Sequence, residues 1–211
     1  MAAWGDFDLD VGVTCAFMLG DAVYGADSGL RHMLEKREQP YVLAVRSNHF
    51  LRGGGGSLQG TTPEALVEAL EQGAFACHAA GEGAKGPRLY DWARVRLHRG
   101  KDARFAHWLL VRRSRRKTTE RAYYLVFAPA TATLAELAGV AGLRWTIEEC
   151  FERAKNDLGL DHCEARSWHG WHRHMTLCMA ALAFLAKLSA ELRRRAWGKP
   201  NERSPSPTIA A

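Results

Sequence analysis

Two short apolar runs separated by one helix do most to limit how this chain can fold. Residues 11–19 are almost continuously apolar and close on Gly20-Asp21, the pattern of a strand buried on both faces and ended by a turn. Asp27 or Ser28 can cap a following helix, in which Leu30, Met33 and Leu34 recur at helical spacing. Pro40 follows the basic end of that helix, and residues 41–45 read as a second buried strand. Strand, helix and strand in so few residues imply a parallel pair with a right-handed crossover. Asp21 then falls at the carboxyl end of a central strand, the edge where α/β folds place chemistry.

The remainder alternates between β-like and helical stretches. Residues 52–60 contain Gly53-Gly54-Gly55-Gly56 and read as a flexible loop, and without a Gly-Lys-Ser/Thr ending they are no phosphate loop. Thr62-Pro63-Glu64 opens a short helix reaching about Gln72. Residues 92–97, 108–112 and 123–127 are β-like, and the basic run Arg112-Arg113-Ser114-Arg115-Arg116-Lys117 joins the last two as a hairpin. Pro129 breaks the pattern and Thr133 or a neighbour caps a helix over residues 134–156, with a bend expected near Gly139 and Gly142. Its stripe Leu143, Ile147, Phe151 (or Cys150), Ala154 and Leu158 follows the helical period and is expected to face the core. Gly159 is a stop signal, a long apolar helix runs from about Trp171 to Arg195, and residues 197–211 read as a disordered tail.

Charge and cysteine usage narrow the class of partner. The formal charge is +6, carried mostly by arginine, so polyanions are the natural ligands. The five cysteines are odd in number and lack a C-x-x-C pair, which argues against a disulfide framework and a cysteine zinc site; most lie in apolar stretches and read as small core residues. The clustered His162, His169, His172 and His174 beside Cys163 show no regular ligand spacing, and packing or surface histidines are the plainer reading. No secretory signal is present, and the apolar stretch 175–185 is too short to cross a bilayer, so a buried helix in a reducing cytosol is expected.

Arg144, Glu148, Glu152 and Lys155 are spaced by four, four and three residues and share one helix face. Taken alone, charges at this spacing form a solvated salt-bridge face. However, Arg144-x-x-x-Glu148-x-x-x-x-x-x-Lys155 resembles the R-E-K part of the Y-x-x-R-x-x-x-E-x-x-x-x-x-x-K signature of bacterial insertion-sequence DDE transposases. Gly20-Asp21-Ala22-Val23-Tyr24-Gly25 is similar to the family segment holding the second catalytic aspartate. Pro40-Tyr41-Val42-Leu43-Ala44-Val45, Gly83-Ala84-Lys85-Gly86-Pro87-Arg88, Arg144-Trp145-Thr146-Ile147-Glu148-Glu149 and Gly159-Leu160-Asp161-His162 resemble the same family, over residues 11–192 in all.

The resemblance implies an α/β protein with an incomplete ribonuclease-H-like core, a β-rich insert over residues 51–130 and long C-terminal helices, within a catalytic domain spanning residues 1–196. It implies Mg²⁺ (or Mn²⁺) held by Asp21 and Glu148, with Glu149 competing for the second position. In such sites three carboxylates hold two metals ~3.5–4 Å apart, which cut and join phosphodiesters. Arg144 and Lys155 would hold the DNA phosphate, and Arg113, Arg115, Arg116 and Lys117 could lie along the backbone, although a solvated hairpin tip is the equal alternative. The partner implied is DNA at transposon ends, in the bacterial cytoplasm, with a homodimer allowed and no membrane. Two departures are evident: Ala141 stands where the signature has tyrosine, and only ten residues precede Val11, where the family carries its first aspartate on an earlier strand. Asp6, Asp8 and Asp10 lie too close to Asp21 to replace it. A truncated enzyme, weakly active or inactive and prone to self-association through an exposed strand edge, is the resulting expectation; a DNA-binding remnant without catalysis is the alternative.

Overall fold

The structure is a computed structural model that describes residues 15–51, 60–70, 72–83, 86–97 and 103–197. The chain divides into two compact units, Met1–Trp145 and Thr146–Ala211. The tetraglycine loop, the aspartates of residues 6–10, residues 11–14 of the first expected strand and the tail beyond 197 lie outside the described residues.

The first unit is built on one six-stranded mixed sheet. In chain order its elements are β1 (Met18–Gly20), α1 (Ala22–Ala26), α2 (Ser28–Lys36), β2 (Tyr41–Val45), α3 (Pro63–Glu68), β3 (Ala76–Gly83), β4 (Gly86–Leu97), β5 (Phe105–Arg113), β6 (Arg121–Pro129) and the first half of α4 (Leu134–Leu158). The strands lie in the order β1-β2-β6-β5-β4-β3. β1 and β2 are parallel, as the strand–helix–strand spacing requires, and every other pairing is antiparallel. The strands expected as an insert thus continue the same sheet, because Tyr41–Val45 pairs with Phe127 through Tyr123 of β6.

Period-two alternation gives the sheet two apolar faces. Tyr41, Leu43, Val45, Leu109, Val111, Leu125 and Phe127 point to one face, where Leu30 and Leu34 of α2 and Val67 of α3 cover them. Val42, Trp92, Trp108, Leu110, Tyr124 and Val126 point to the other and meet Leu137, Ala138 and Ala141 of α4. Helices on both faces of a central sheet make this an α/β architecture. A buried polar contact ties α2 to the sheet: the Tyr41 hydroxyl donates to Glu35 at 2.7 Å, and His107 Nε2 lies 3.1 Å from the same carboxylate.

Helix ends follow the sequence closely. Asp27 caps α2 by accepting from Gly29 and Leu30, and Thr62 caps α3 with Pro63 in the first turn. Thr133 and Glu136 form a reciprocal capping box at α4, with Glu136 accepting from the Thr133 N–H at 2.7 Å and Thr133 Oγ1 accepting from Glu136 N at 3.2 Å. At the far end Gly159 takes φ +62° and Leu160 N–H reaches back to the Ala154 carbonyl, a left-handed stop that only glycine adopts without strain.

The second unit holds the latter half of α4 and α5 (Trp168–Trp197). Cys178 is buried there, with its thiol 3.4 Å from the Leu158 carbonyl, and His174 lies 3.0 Å from the Gly159 carbonyl.

Several expectations are corrected. The first strand begins only at Met18 and is half-buried on both sides, so residues 15–17 do not extend it. α3 stops at Glu68 rather than near Gln72, and β3 was not foreseen. Of the expected α4 stripe Ala154 is buried, whereas Leu143, Ile147 and Phe151 are more than half exposed; in the first unit the helix meets the sheet through Leu137, Ala138 and Ala141. Of the cysteines only Cys178 is buried: Cys163 is half-buried, Cys15 is exposed ahead of β1, and Cys77 and Cys150 sit on exposed positions of β3 and α4. The long last helix is likewise open rather than buried, with Leu177, Met179, Phe184 and Leu192 exposed. By length and composition its Trp168–Leu192 stretch could span a membrane, so the shorter apolar run counted from sequence understates it.

Candidate active site

Asp21 follows directly on β1, at the carboxyl edge of the parallel pair. Its Oδ1 accepts from Val23 N at 2.9 Å and from Tyr24 N at 3.4 Å, so the carboxylate is the N-cap of α1. The side chain is exposed. Its position depends on how closely α1 approaches the sheet. Gly25 is buried, and a Cβ there would overlap the Ala44 carbonyl of β2. Glycine is therefore what allows α1, and the carboxylate that starts it, to rest against the strand.

The register carries the same edge across the sheet. Gly20 pairs with Leu43, Val45 with Tyr123, Tyr123 with Val111, and Arg121 with Arg113. The β5–β6 hairpin therefore projects from the edge that bears Asp21, two to three strand spacings away, or roughly 10–15 Å. Its turn closes through Ser114 N to Glu120 O at 3.0 Å and Glu120 N to Lys117 O at 2.9 Å. The basic residues of this hairpin divide. Arg113 is mostly buried, pairs with Asp91 at 3.2 Å and lies over the Phe75 ring at 3.9 Å. Arg115, Arg116 and Lys117 are exposed, with Arg115 3.7 Å from Asp91 and Lys117 3.1 Å from Glu120.

Arg144 lies on α4 in the same unit, half-buried, close enough to Tyr124 to act on its phenol together with Arg112. Burial dominates and holds the Tyr124 hydroxyl above the ordinary tyrosine range, while the two guanidiniums pull it down. Arg112 sits over the Tyr90 ring at 4.6 Å, and Tyr124 stacks on Trp92 at 6.3 Å. Arg88 lies over Trp145 at 5.7 Å. Arg88 entered the sequence reading only as the end of the Gly83–Arg88 motif, with no role assigned, and Tyr90 not at all. Their signal is the alternation Arg88, Tyr90, Trp92, Arg94, which puts all four on the sheet face that α4 covers.

Glu148, Glu149 and Lys155 lie on α4 in the second unit, and all three are exposed. Glu148 and Lys155 are seven residues apart, which places them on one helix face about two turns from each other. Ala141, at the position where the signature has tyrosine, packs into the sheet face at 5% exposure beside a glycine whose backbone touches β3.

Asp21 and Glu148 offer hard carboxylate oxygens of the kind divalent cations take. Among the described residues no group of three or more histidine, cysteine, aspartate or glutamate side chains is arranged to hold a metal. Trp168 stacks on Trp171 at 5.5 Å, with His172 edge-on to both.

Residues 14–184 match a protein family described as the Transposase DDE domain. The chain belongs to that family. Its mixed sheet followed by long helices agrees with the ribonuclease-H-like fold of such transposases. A search of curated proteins gave no match. Members of the transposase family act on DNA and generally use divalent metals, which agrees with an exposed carboxylate and basic side chains sharing one sheet edge.

Proposed function

We propose that this transposase-family chain acts at transposon ends by metal-dependent cleavage and joining of DNA strands, with Asp21 and Glu148 as two of the carboxylates of the site. The observation that carries this reading is Asp21 itself. It is an exposed carboxylate oriented by its own helix cap at the carboxyl edge of the sheet, with the basic hairpin on the same edge. A bound Mg²⁺ or Mn²⁺ would supply activation of water or a 3′ hydroxyl and charge relief at the leaving oxygen. Asp21 and Glu148 would hold it through oxygen atoms, and seven-residue spacing lets Lys155 accompany Glu148 with Glu149 displaced from that face. Arg144 and Lys155 would bind the phosphate, Arg144 by its planar fork and Lys155 as a point charge. Arg115, Arg116 and Lys117 suit contacts along the DNA backbone, whereas Arg113 suits holding the hairpin to Asp91.

We place the protein in the bacterial cytoplasm, without a membrane partner. Lys187 and Glu191 fall inside the apolar stretch of α5, and charges there would have to be buried in lipid. The exposed apolar face of that helix suits a homodimer.

A second reading, a DNA-binding remnant without catalysis, draws support from one departure of this chain from the signature: Ala141 stands where the signature has tyrosine. We therefore expect cleavage by this chain alone to be weak or nil. The test is nicking of supercoiled plasmid with Mg²⁺ or Mn²⁺, beside Asp21→Asn and Glu148→Gln. Asparagine caps a helix as well as aspartate does, so Asp21→Asn removes the charge and spares the fold. Nicking lost in both variants supports the transposase site; no nicking with salt-sensitive plasmid binding retained supports the remnant.

A further inference from the structure

Two arginines on one face of β4 grip α4 at separate points. Arg94 donates to the Ala132 carbonyl just ahead of the helix and lies over Trp108 at 5.3 Å. Arg88 donates through one terminal nitrogen to the Ala80 carbonyl of β3 at 3.0 Å and to the Gly142 carbonyl of α4 at 3.4 Å, and its guanidinium covers Trp145. The two grips are six residues apart on the strand and ten on the helix path. Six strand residues span about 20 Å and ten helical residues about 15 Å, a difference that arginine side chains can bridge. At the Arg88 grip the backbones themselves meet, since a Cβ on Gly142 would overlap the Ala80 carbonyl. The side chain is thus held by two protein carbonyls and a ring.

This grip is on the helical turn that bears Arg144. Gly142 lies two residues before it and Trp145 one residue after it. We infer that Arg88 is a positioning residue for DNA binding: it sets the axial and rotational placement of this turn of α4, and so where the Arg144 guanidinium stands. The inference rests on the reading of Arg144 as a phosphate-binding residue. Arg94 fixes the same helix farther from Arg144 and serves as the internal comparison.

The experiment uses the full chain and a short mixed-sequence DNA duplex, with affinity measured over a range of salt concentrations for wild type, Arg88→Ala, Arg88→Lys, Arg144→Ala and the Arg88→Ala/Arg144→Ala double variant. Loss of one phosphate contact lowers the slope of log affinity against log salt by about one. Arg88→Ala is expected to lose that one unit although Arg88 itself touches protein, and the double variant is expected to lose no more than Arg144→Ala alone. Arg88→Lys keeps the charge but not the planar guanidinium that covers Trp145 while reaching both carbonyls, and is expected to behave as Arg88→Ala. Additive losses in the double variant, or full binding by Arg88→Lys, would overturn the inference, because Arg88 would then act as a charge of its own. Amide hydrogen exchange tests the grip without DNA. In Arg88→Ala, protection should fall at residues 142–146 while β5 and β6 stay protected. Unchanged protection at 142–146 overturns the grip. Failure of the wild type to bind DNA while the exchange pattern holds would instead count against the role of Arg144.

Discussion

Replacing Gly25 by alanine puts a methyl group where the Ala44 carbonyl already stands. The obstructing atoms are β2 backbone, with Val45 Cγ1 a further neighbour at 3.1 Å, so no flexible side chain can swing aside. α1 would have to lift off the sheet. Overpacking of this kind costs about 1–3 kcal/mol, and obstruction by backbone points to the upper part of that range. Against it stands the better helix propensity of alanine, worth at most about 1 kcal/mol. The net loss expected is about 2 kcal/mol, or roughly 4–8 °C in Tm for a chain of this size. Gly139→Ala is the control: it lies inside α4 with open space around its would-be Cβ, so it should gain about 0.5–1 kcal/mol. Urea and thermal unfolding of both variants measure the difference. Because α1 begins at Asp21, Gly25→Ala should also weaken any metal-dependent nicking. Equal stability of Gly25→Ala and wild type would refute the close approach of α1 to β2, and with it the account of how Asp21 is held.

Three further outcomes follow from the same structure. Leu137 is fully buried between α4 and the sheet, so Leu137→Ala should lose about 2–5 kcal/mol in a urea titration, and a loss under 1 kcal/mol would mean that α4 does not pack there. Burial raises Tyr124 above its unfolded pKa, so its contribution is complete below the unfolded value and is lost as pH rises through the folded one; Tyr124→Phe should therefore blunt alkaline unfolding followed by circular dichroism. The Thr133 backbone N–H, then its hydroxyl, hold Glu136 below the ordinary carboxylate range, so its support of α4 is present above the unfolded pKa and fades as pH falls through the lowered one; Glu136→Gln should weaken the acid dependence of stability, and an unchanged profile would show the capping box to be ineffective.

What was legible in the sequence was local chemistry. Gly20-Asp21 ends a strand, Asp27, Thr62 and Thr133 cap helices, and Gly159 stops one, because each of these devices is satisfied by backbone groups within a few residues. The parallel β1–β2 pair was legible for a similar reason: one short crossover leaves few geometries open. The site was legible only through resemblance, since Arg144, Glu148 and Lys155 at helical spacing are, as spacing alone, an ordinary charged face.

Side-chain periodicity states which residues share a face, but not what lies opposite. The turns of α4 in the first unit meet the sheet largely through small side chains. Ala138, Ala141 and Gly142 let the helix axis come close, and at Gly142 the backbones touch. Leu143, Ile147 and Phe151 of the stripe expected to face the core are each more than half exposed, while Ala154 of the same stripe is buried. A purely hydrophobic ranking picks the larger residues, whereas the close approach of a helix to strand backbone selects the smaller ones. The same reasoning explains Arg88 and Arg94. Arginines on the covered face of a sheet look misplaced in a hydrophobic count, and they are retained there because their stems pack on Trp145 and Trp108 while their guanidiniums satisfy carbonyls along the path of α4.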